Sequence, residues 1–398
     1  MDITLTYLTY LGVVLLIGLL MSILAKKLRI PNVLLLILSG IALANIKYKG
    51  ETLMHFEPAF LIGIALLALV MIVFDSSSKF KWREFDSLSF RVLKLIIIFL
   101  VLNVIFLSTA TYFIMGLSSI PIAIIFAIVM SGTDPATVLT LFKTKINRVV
   151  EILRIEAVLN TPLIVLLPFV ILDAMNINLG VFSRFLEQGI PFLQQIVTGI
   201  GAGVVLGVIV FKLMKKFYSE ELSPLAVMVT ALLGYVLAEN LGGNGVLAVT
   251  TLGVMFGNMY LKEKTSLKEF SSIFSNALEI LVFVLLGFMI PIVFSWQFFL
   301  KSLLIFAIII LIRHIAILIT FRREKTFTAR NKIFMAMNAS KGIAVAVIAL
   351  SFSLRNIAGM NIILDLILIM MIYSIVLSTI VGKLSRFFIK VDITGKCQ

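Results

Sequence analysis

Two short stretches of the chain place a charged residue beside a helix-breaking residue within otherwise apolar sequence. They read Met-Ser-Gly-Thr-Asp-Pro-Ala-Thr-Val from residue 130 and Met-Asn-Ala-Ser-Lys-Gly-Ile-Ala-Val from residue 337. Both follow the order methionine, small polar residue, small residue, hydroxyl, charge and helix breaker, and the charges are Asp134 and Lys341. An ionisable side chain is costly in hydrocarbon, so both charges are functional candidates by default.

The helix breakers predict that each stretch interrupts a membrane helix. Pro135 has no N–H group, so the carbonyl of Ser131 loses its helical partner. Gly342 weakens the second helix at the equivalent position. Each span is therefore predicted to consist of two half-helices joined by an unwound segment near the middle of the membrane, as in transporters with broken helices.

Broken helices can provide a place for a cation. The N-terminal ends of half-helices carry partial positive charge and suit Asp134, whereas the C-terminal ends carry partial negative charge and suit Lys341. Freed carbonyls and the hydroxyls of Thr133 and Ser340 are the hard oxygen ligands that such cations prefer. The structural alternative is that residues 133–135 form a loop between two short helices.

A second polar group lies in the next apolar segment. Glu156 and Asn160 are four residues apart and share one face of a helix. The basic partner of Glu156 is either Arg313 or Lys341, and the spacing does not choose between them. The alternative is a purely structural ion pair that locks two helices together. Three further acids in apolar segments are interpreted as interfacial or helix-pairing residues: Glu239, Glu279 and Asp365.

Membrane-spanning helices must position these residues. The chain has 398 residues, of which 61% are hydrophobic and 14% charged, whereas a soluble domain is about a quarter charged. An outer-membrane barrel lacks such long unbroken apolar runs. We therefore predict an all-α polytopic membrane protein in a lipid bilayer, with one transmembrane transporter domain over residues 1–398. About thirteen spans are predicted: 5–25, 32–46, 59–74, 90–115, 120–142, 149–172, 192–217, 222–239, 244–259, 268–294, 298–321, 332–353 and 361–385.

The basic residues alternate between the two sides of these spans. In the loops and the C-terminal end, 25 Lys and Arg lie on one side and 5 on the other. The positive-inside rule then predicts an outside N-terminus and a cytoplasmic C-terminus in a cell membrane, which we expect to be prokaryotic. The net charge of +14 reflects these loops and not nucleic-acid binding. A single cysteine, Cys397, and two histidines indicate no metal centre.

The fifth and twelfth spans are seven apart in order, so they run through the membrane in opposite directions. Two related stretches in opposite orientation are typical of inverted repeats in transporters. Residues 181–191 are predicted to form a hinge between two six-span halves, with one additional span.

In these features the chain resembles the monovalent cation:proton antiporters of the NhaP type. The most specific match is the run from Ser131 to Ala136, and Glu156 with Asn160 matches the sixth-span motif. Other positions that resemble the family are Arg29 to Pro31, Gly245 to Asn258, and Arg313. The resemblance implies crossed, unwound fifth and twelfth spans and a homodimer. It also implies a dimerisation domain at about 1–75 and 192–294, and a mobile core domain at about 90–172 and 298–385.

The resemblance also implies roles for individual residues. The implied ion-binding residues are Asp134, which would hold the monovalent cation, with Thr133, Asn160, Thr161 and Glu156. The implied charge network is Lys341, Arg313 and Glu156, and the implied helix breaks are Pro135 and Gly342. Two positions depart from the family pattern: Asn160-Thr161 stands where Asn-Asp is usual, and Lys341 stands where Arg is usual. The implied site is therefore one carboxylate short.

We expect a membrane antiporter, not an enzyme, that exchanges sodium or another monovalent cation for protons and carries no cofactor. A carboxylate in low-dielectric surroundings holds either a proton or a cation, and a single such group, Asp134, makes the exchange one for one and electrically silent. Two alternatives stay open. One is a transport-inactive or sensory homologue, or an inactivated variant, whose charges form a structural network. The other is a channel-like or altered-substrate carrier, in which Lys341 partly offsets Asp134.

Overall fold

The computed structural model is a helical bundle with one short β-hairpin. It describes residues 3–28, 30–48, 51–52, 54, 56–80, 87–134, 148–175, 181–217, 222–259, 264–289, 295–324, 326–353, 357 and 359–388. The first helices are α1 (Ile3–Leu28), α2 (Asn32–Asn45), α3 (Pro58–Ser78), α4 (Ser87–Leu102), α5 (Ser108–Met115) and α6 (Ile120–Val129). They are followed by α7 (Arg148–Met175), α8 (Val181–Lys216), α9 (Leu222–Asn240), α10 (Gly245–Asn258) and α11 (Lys264–Met289). The last are α12 (Trp296–Thr320), α13 (Ala329–Met337), α14 (Ile343–Ser353), α15 (Met360–Lys383) and α16 (Ser385–Phe388).

The predicted polytopic helical fold is confirmed. Within the described part of the chain, nine helical segments are long and apolar enough to cross a membrane. Four shorter apolar helices are α2, α6, α10 and α14. Together they correspond in order to the thirteen predicted segments. The short helices explain why several predicted spans fell below the roughly 20 residues that a bilayer requires.

Some predicted boundaries differ from the structure. Residues 181–191, predicted to form a hinge, belong to α8, which continues to Lys216. The fifth span was predicted to reach residue 142, but α6 ends at Val129, and residues 135–147 lie outside the described part. The loop between α2 and α3 contains strands β1 (Lys47–Tyr48) and β2 (Glu51–Thr52), which pair antiparallel.

The fourth span contains an irregular turn that brings a polar side chain to the interior. Residues Asn103–Leu107 form a π-helical turn between α4 and α5. Asn103 is fully buried, and its Nδ2 donates a hydrogen bond to Ser131 Oγ at 2.9 Å. π-Turns are rare and occur frequently at functional sites. The turn therefore connects the fourth span to the segment that follows α6.

One group of helices is built around very close backbone contacts. In this group α2 packs against α11, and α10 packs against α3, α8 and α9. A Cβ atom added to Gly40 of α2 would overlap the carbonyl of Val284, and one added to Gly287 of α11 would overlap the carbonyl of Ile37. Small residues allow membrane helices to approach in this way, so the two glycines bring α2 and α11 into backbone contact.

A second group carries the unwound segments. Here α6 and α4 both pack against α7, α12 packs against α4 and α13, and α14 packs against α15. The two groups meet where α3 and α11 contact α14, and where α3 contacts α7. These contact regions also border the cavities of the molecule, so the candidate site lies between the two groups.

Large apolar side chains remain exposed on the outer helices. They include Leu16, Leu19 and Ile23 of α1, Val197, Val205 and Ile209 of α8, and Leu303 and Leu311 of α12. Exposure of apolar side chains along whole helices is expected where the surrounding solvent is lipid. The molecule is therefore a multi-pass membrane protein.

Candidate functional site

The unwound parts of the fifth and twelfth spans pair with each other. The chain is not helical from Ser131 to Asp134, nor from Asn338 to Gly342. The backbone N–H of Asp134 donates a hydrogen bond to the carbonyl of Ser340 at 2.8 Å. The hydroxyl of Ser340 donates in return to the carbonyl of Asp134. These bonds replace helical partners that the two segments have lost, and they pair the two unwound segments expected from the sequence. The second half of the fifth span lies outside the described residues.

Gly342 allows Asp134 to occupy this crossing. A Cβ atom on Gly342 would overlap the carboxyl group of Asp134. The carboxylate of Asp134 therefore lies beside Gly342, the residue that precedes the start of α14 at Ile343, and it is close to the partial positive charge of that helix end. Pro135, the other predicted helix breaker, lies outside the described residues. Glycine at position 342 therefore leaves room for the Asp134 carboxyl group, in addition to weakening the helix.

Lys341 lies against the C-terminal end of α6, whereas Asp134 lies at the N-terminal end of α14. The side chain of Lys341 is buried, and its Nζ donates hydrogen bonds to the carbonyl of Met130 at 2.5 Å and the carbonyl of Gly132 at 2.9 Å. These carbonyls follow the last turn of α6, where the helix presents partial negative charge. The ammonium group is also 5.9 Å from the ring centroid of Phe99. The positive charge therefore satisfies backbone acceptors that the broken helix leaves free.

Glu156 pairs with Arg313, which resolves the choice left by the sequence. Arg313 Nη1 and Nη2 donate to the two carboxylate oxygens of Glu156 at 2.7 and 2.9 Å. The side chains are 0% and 1% exposed for Arg313 and Glu156, respectively. The guanidinium group is 5.2 Å from the ring centroid of Phe99, and its Nε donates to the carbonyl of Met335 at 3.3 Å. This bidentate pair joins α7, α12 and the end of α13.

Thr133 and Asn160 connect the ion pair to the unwound segment. The hydroxyl of Thr133 donates to Glu156 Oε1 at 3.0 Å. Asn160 Nδ2 donates to the carbonyl of Ser131 at 2.8 Å and to Thr133 Oγ1 at 3.4 Å. Because these contacts hold residues 131–133 against α7, they fix the backbone immediately before Asp134.

A cavity of about 390 Å³ opens beside this crossing. Asp134, Thr133 and Thr161 line it from the group of helices that carries the unwound segments. The hydroxyl of Thr161 donates to the carbonyl of Ala157 at 2.8 Å, so its oxygen remains an acceptor. Three of the predicted ion-binding residues, Thr133, Asp134 and Thr161, thus line the cavity. The other two, Glu156 and Asn160, make hydrogen bonds that hold Thr133 and the backbone of Ser131.

The same cavity contains polar residues that the sequence analysis did not assign to it. Ser275, Asn276 and Glu279 of α11 line it, together with Asp75 and Lys79 at the end of α3. Glu279 had been interpreted as an interfacial or helix-pairing residue. The spacing of residues 275, 276 and 279 on one helical turn was a usable signal, but the sequence alone does not tell which helix they face.

A second cavity, of about 350 Å³, lies at the other end of the same helices. It is lined by Ile62 and Leu66 of α3, Phe169 of α7, Ser351 of α14 and Glu239 of α9. Glu239 Oε1 accepts a hydrogen bond from the backbone N–H of Gly245 at 2.8 Å. The helices α3, α7 and α14 therefore contribute opposite ends to the two cavities.

The chain is similar to known membrane proteins along most of its length. The family model for the transmembrane sodium/hydrogen exchanger matches residues 12–385. The Na+/H+ antiporter ApNhaP of Aphanothece halophytica is 28% identical over 267 residues, which are 65% of this chain and 50% of the relative. The probable Na+/H+ antiporter 2 of Methanocaldococcus jannaschii is 24% identical over 360 residues, which are 86% of this chain and 83% of the relative.

The chain thus spans about half the length of ApNhaP and most of the length of the methanogen relative. The solved structure of the sodium proton antiporter MjNhaP1 from the same methanogen has the same fold, with a TM-score of 0.80 at 21% identity. That similarity covers 98% of this chain and 99% of the solved chain. The extent of the family match, with the crossed and broken spans, identifies the chain as a member of the sodium/hydrogen exchanger family.

Proposed function

We propose that the chain is an antiporter that exchanges sodium for protons across a cell membrane by alternating access. The observation that carries this proposal is the position of Asp134. Its carboxylate lies at the crossing of two broken helices and lines a cavity beside the hydroxyls of Thr133 and Thr161. A carboxylate with neutral oxygen neighbours can bind either a cation or a proton. The similarity of the chain to Na+/H+ antiporters supports this pair of substrates.

The buried charges support a one-for-one exchange. Glu156 and Arg313 form an internally neutral pair, and the buried ammonium group of Lys341 donates to the carbonyls of Met130 and Gly132. One sodium ion or one proton on Asp134 therefore gives the site the same charge. We infer that the exchange is electroneutral and insensitive to the membrane potential.

We assign different roles to the other predicted ion-binding residues. Thr133 and Thr161 offer hydroxyl oxygens to the cation. Glu156 and Asn160 act as positioning residues, because their described hydrogen bonds hold Thr133 and the backbone of Ser131. A positioning role predicts that their loss weakens ion binding by displacing Asp134.

The two cavities support an alternating pathway. Between them lies an apolar layer of buried side chains: Ala68, Val70 and Met71 of α3, Val165 of α7, and Val347 and Ile348 of α14. We propose that the core domain, about 90–172 and 298–385, moves against the dimerisation domain, about 1–75 and 192–294, and opens one cavity while it closes the other. The proposal includes a homodimer, an outside N-terminus and a cytoplasmic C-terminus, so that the cavity with Asp134 faces the cytoplasm.

The proposed function is tested by dissipation of a pH gradient in proteoliposomes on addition of sodium, with potassium and lithium in parallel. The unmodified chain should dissipate the gradient, and Asp134→Asn should reduce the rate to that of empty vesicles. Unchanged exchange in Asp134→Asn would refute the role of this carboxylate. Thr161→Asp restores the residue usual in the family and serves as the comparison.

The pattern across these variants separates the alternatives. Exchange by Thr161→Asp alone would mean that the scaffold is an antiporter whose ion site is disabled by threonine. Exchange by neither chain would favour the transport-inactive homologue with a structural charge network. A sodium current under voltage would identify the channel-like alternative, because electroneutral exchange carries no current.

A further inference from the structure

The face of α11 that lines the cavity of the ion site carries an acid that the proposed mechanism does not use. Glu279 lines the cavity across from Asp134, one helical turn after Ser275 and Asn276, which line it as well. Ser275 Oγ donates to the carbonyl of Met71 at 3.3 Å. Within the part of the chain that the structure describes, Glu279 has no hydrogen bond or ion pair. Its carboxylate is therefore presented to the cavity.

The charges around Glu279 favour a cation. The carboxylates of Asp134 and Asp75 repel the carboxylate of Glu279, whereas the ammonium group of Lys79 attracts it. Lys79 Nζ, however, lies 2.6 Å from Asp75 Oδ2, so those two charges largely offset each other. Arg154, which also lines the cavity, is exposed at its edge. With all groups ionised, three acids face two bases, and a single added cation between Asp134 and Glu279 relieves their repulsion.

Across the cavity from Glu279, position 161 of α7 carries no carboxylate. Thr161 lines the same cavity and offers only a neutral oxygen. A sodium ion in low-dielectric surroundings is held more firmly by two carboxylates than by one, because ligand charge sets much of the affinity. Glu279 therefore offers, from the other side of the cavity, the charge that position 161 does not provide.

We propose that Glu279 is a second carboxylate ligand, which holds the transported cation jointly with Asp134 while the site faces this cavity. The inference rests on the proposed function. Asp134 and Glu279 belong to different groups of helices, since α11 packs against α2 through Gly40 and Gly287. Movement of the core domain would separate the two carboxylates. Glu279 then acts on one side of the membrane only and stays behind when the cation crosses.

The test is the sodium dependence of exchange measured separately in everted and right-side-out vesicles. Glu279→Gln should raise the half-saturating sodium concentration about tenfold on the cytoplasmic side and leave it unchanged on the other side. The maximal rate should stay within about twofold of the unmodified chain, and Glu279→Asp should recover part of the loss. Asp365→Asn is the matched control, because Asp365 is a membrane-embedded acid of α15 that is not among the residues lining this cavity.

If Glu279 had only a structural role, Glu279→Gln would lower the maximal rate equally in both vesicle orientations and would lower the melting temperature of the protein. This result would overturn the inference. So would an unchanged sodium dependence in Glu279→Gln. The sodium-induced rise in melting temperature of the detergent-solubilised protein separates this failure from failure of the proposed function. A chain that does not exchange, but whose sodium-induced rise is lost in Glu279→Gln, supports Glu279 as a ligand and refutes antiport. A chain with neither exchange nor a sodium-induced rise refutes both.

Discussion

The buried pair of Glu156 and Arg313 allows a quantitative test of how the core is held together. Removing one member of a buried ion pair leaves the other charge without a counterion, which costs about 3–5 kcal/mol. The two partners are not equivalent, because a carboxylic acid can take up a proton and become neutral, whereas a guanidinium group stays charged. We therefore expect Glu156→Gln to destabilise the protein more than Arg313→Gln, although the second variant also leaves the carbonyl of Met335 without its donor.

The double variant Glu156→Leu/Arg313→Met completes this test. Replacing both charges by apolar side chains of similar volume removes the unpaired charge, so stability should return to within about 2 kcal/mol of the unmodified chain. The measurement is the free energy of unfolding in mixed detergent micelles, with each single variant to Leu or Met included to close the cycle. If the losses of the two single variants simply add in the double variant, the pair is not coupled and the reasoning is refuted.

Five other substitutions, controls included, test the crossing and the helix packing. Gly342→Ala should reduce the exchange rate at least tenfold by displacing the Asp134 carboxylate, whereas Gly63→Ala, whose new Cβ meets no atom within 4 Å, should leave the rate unchanged in the same vesicle assay. Gly40→Ala should lower the unfolding free energy by about 1–3 kcal/mol, measured in micelles, because its Cβ would overlap the backbone of α11. Lys341→Met should lose both exchange and stability, and Lys341→Arg should retain more of each, since a guanidinium can still donate to the free carbonyls.

Much of the architecture could be predicted because its causes are local in sequence. Apolar segments and the alternation of basic loops indicate thirteen spans, and a helix breaker beside a charge locates the two unwound segments. The opposite signs of Asp134 and Lys341 indicate which helix ends they suit. The structure has Lys341 on the carbonyls after α6 and Asp134 at the start of α14.

The rest depends on contacts between residues that are far apart in the chain. The partner of Glu156 is 157 residues away, so no periodicity could choose Arg313 over Lys341. Glu279 resembles an ordinary interfacial acid until α11 is placed opposite α7. Asn103 is a single polar residue in a long apolar run, and only the π-turn shows that it reaches Ser131.

The π-turn at Asn103–Leu107 also makes the contact between Asn103 and Ser131 depend on the number of residues in the fourth span. Such a turn holds one residue more than an α-helical turn. Deleting one residue there would convert the π-turn into an ordinary α-helical turn, and the local bulge that places Asn103 against Ser131 would be lost. In comparisons of related chains, insertions and deletions at the π-turn should therefore be as rare as substitutions of the charged residues at the crossing.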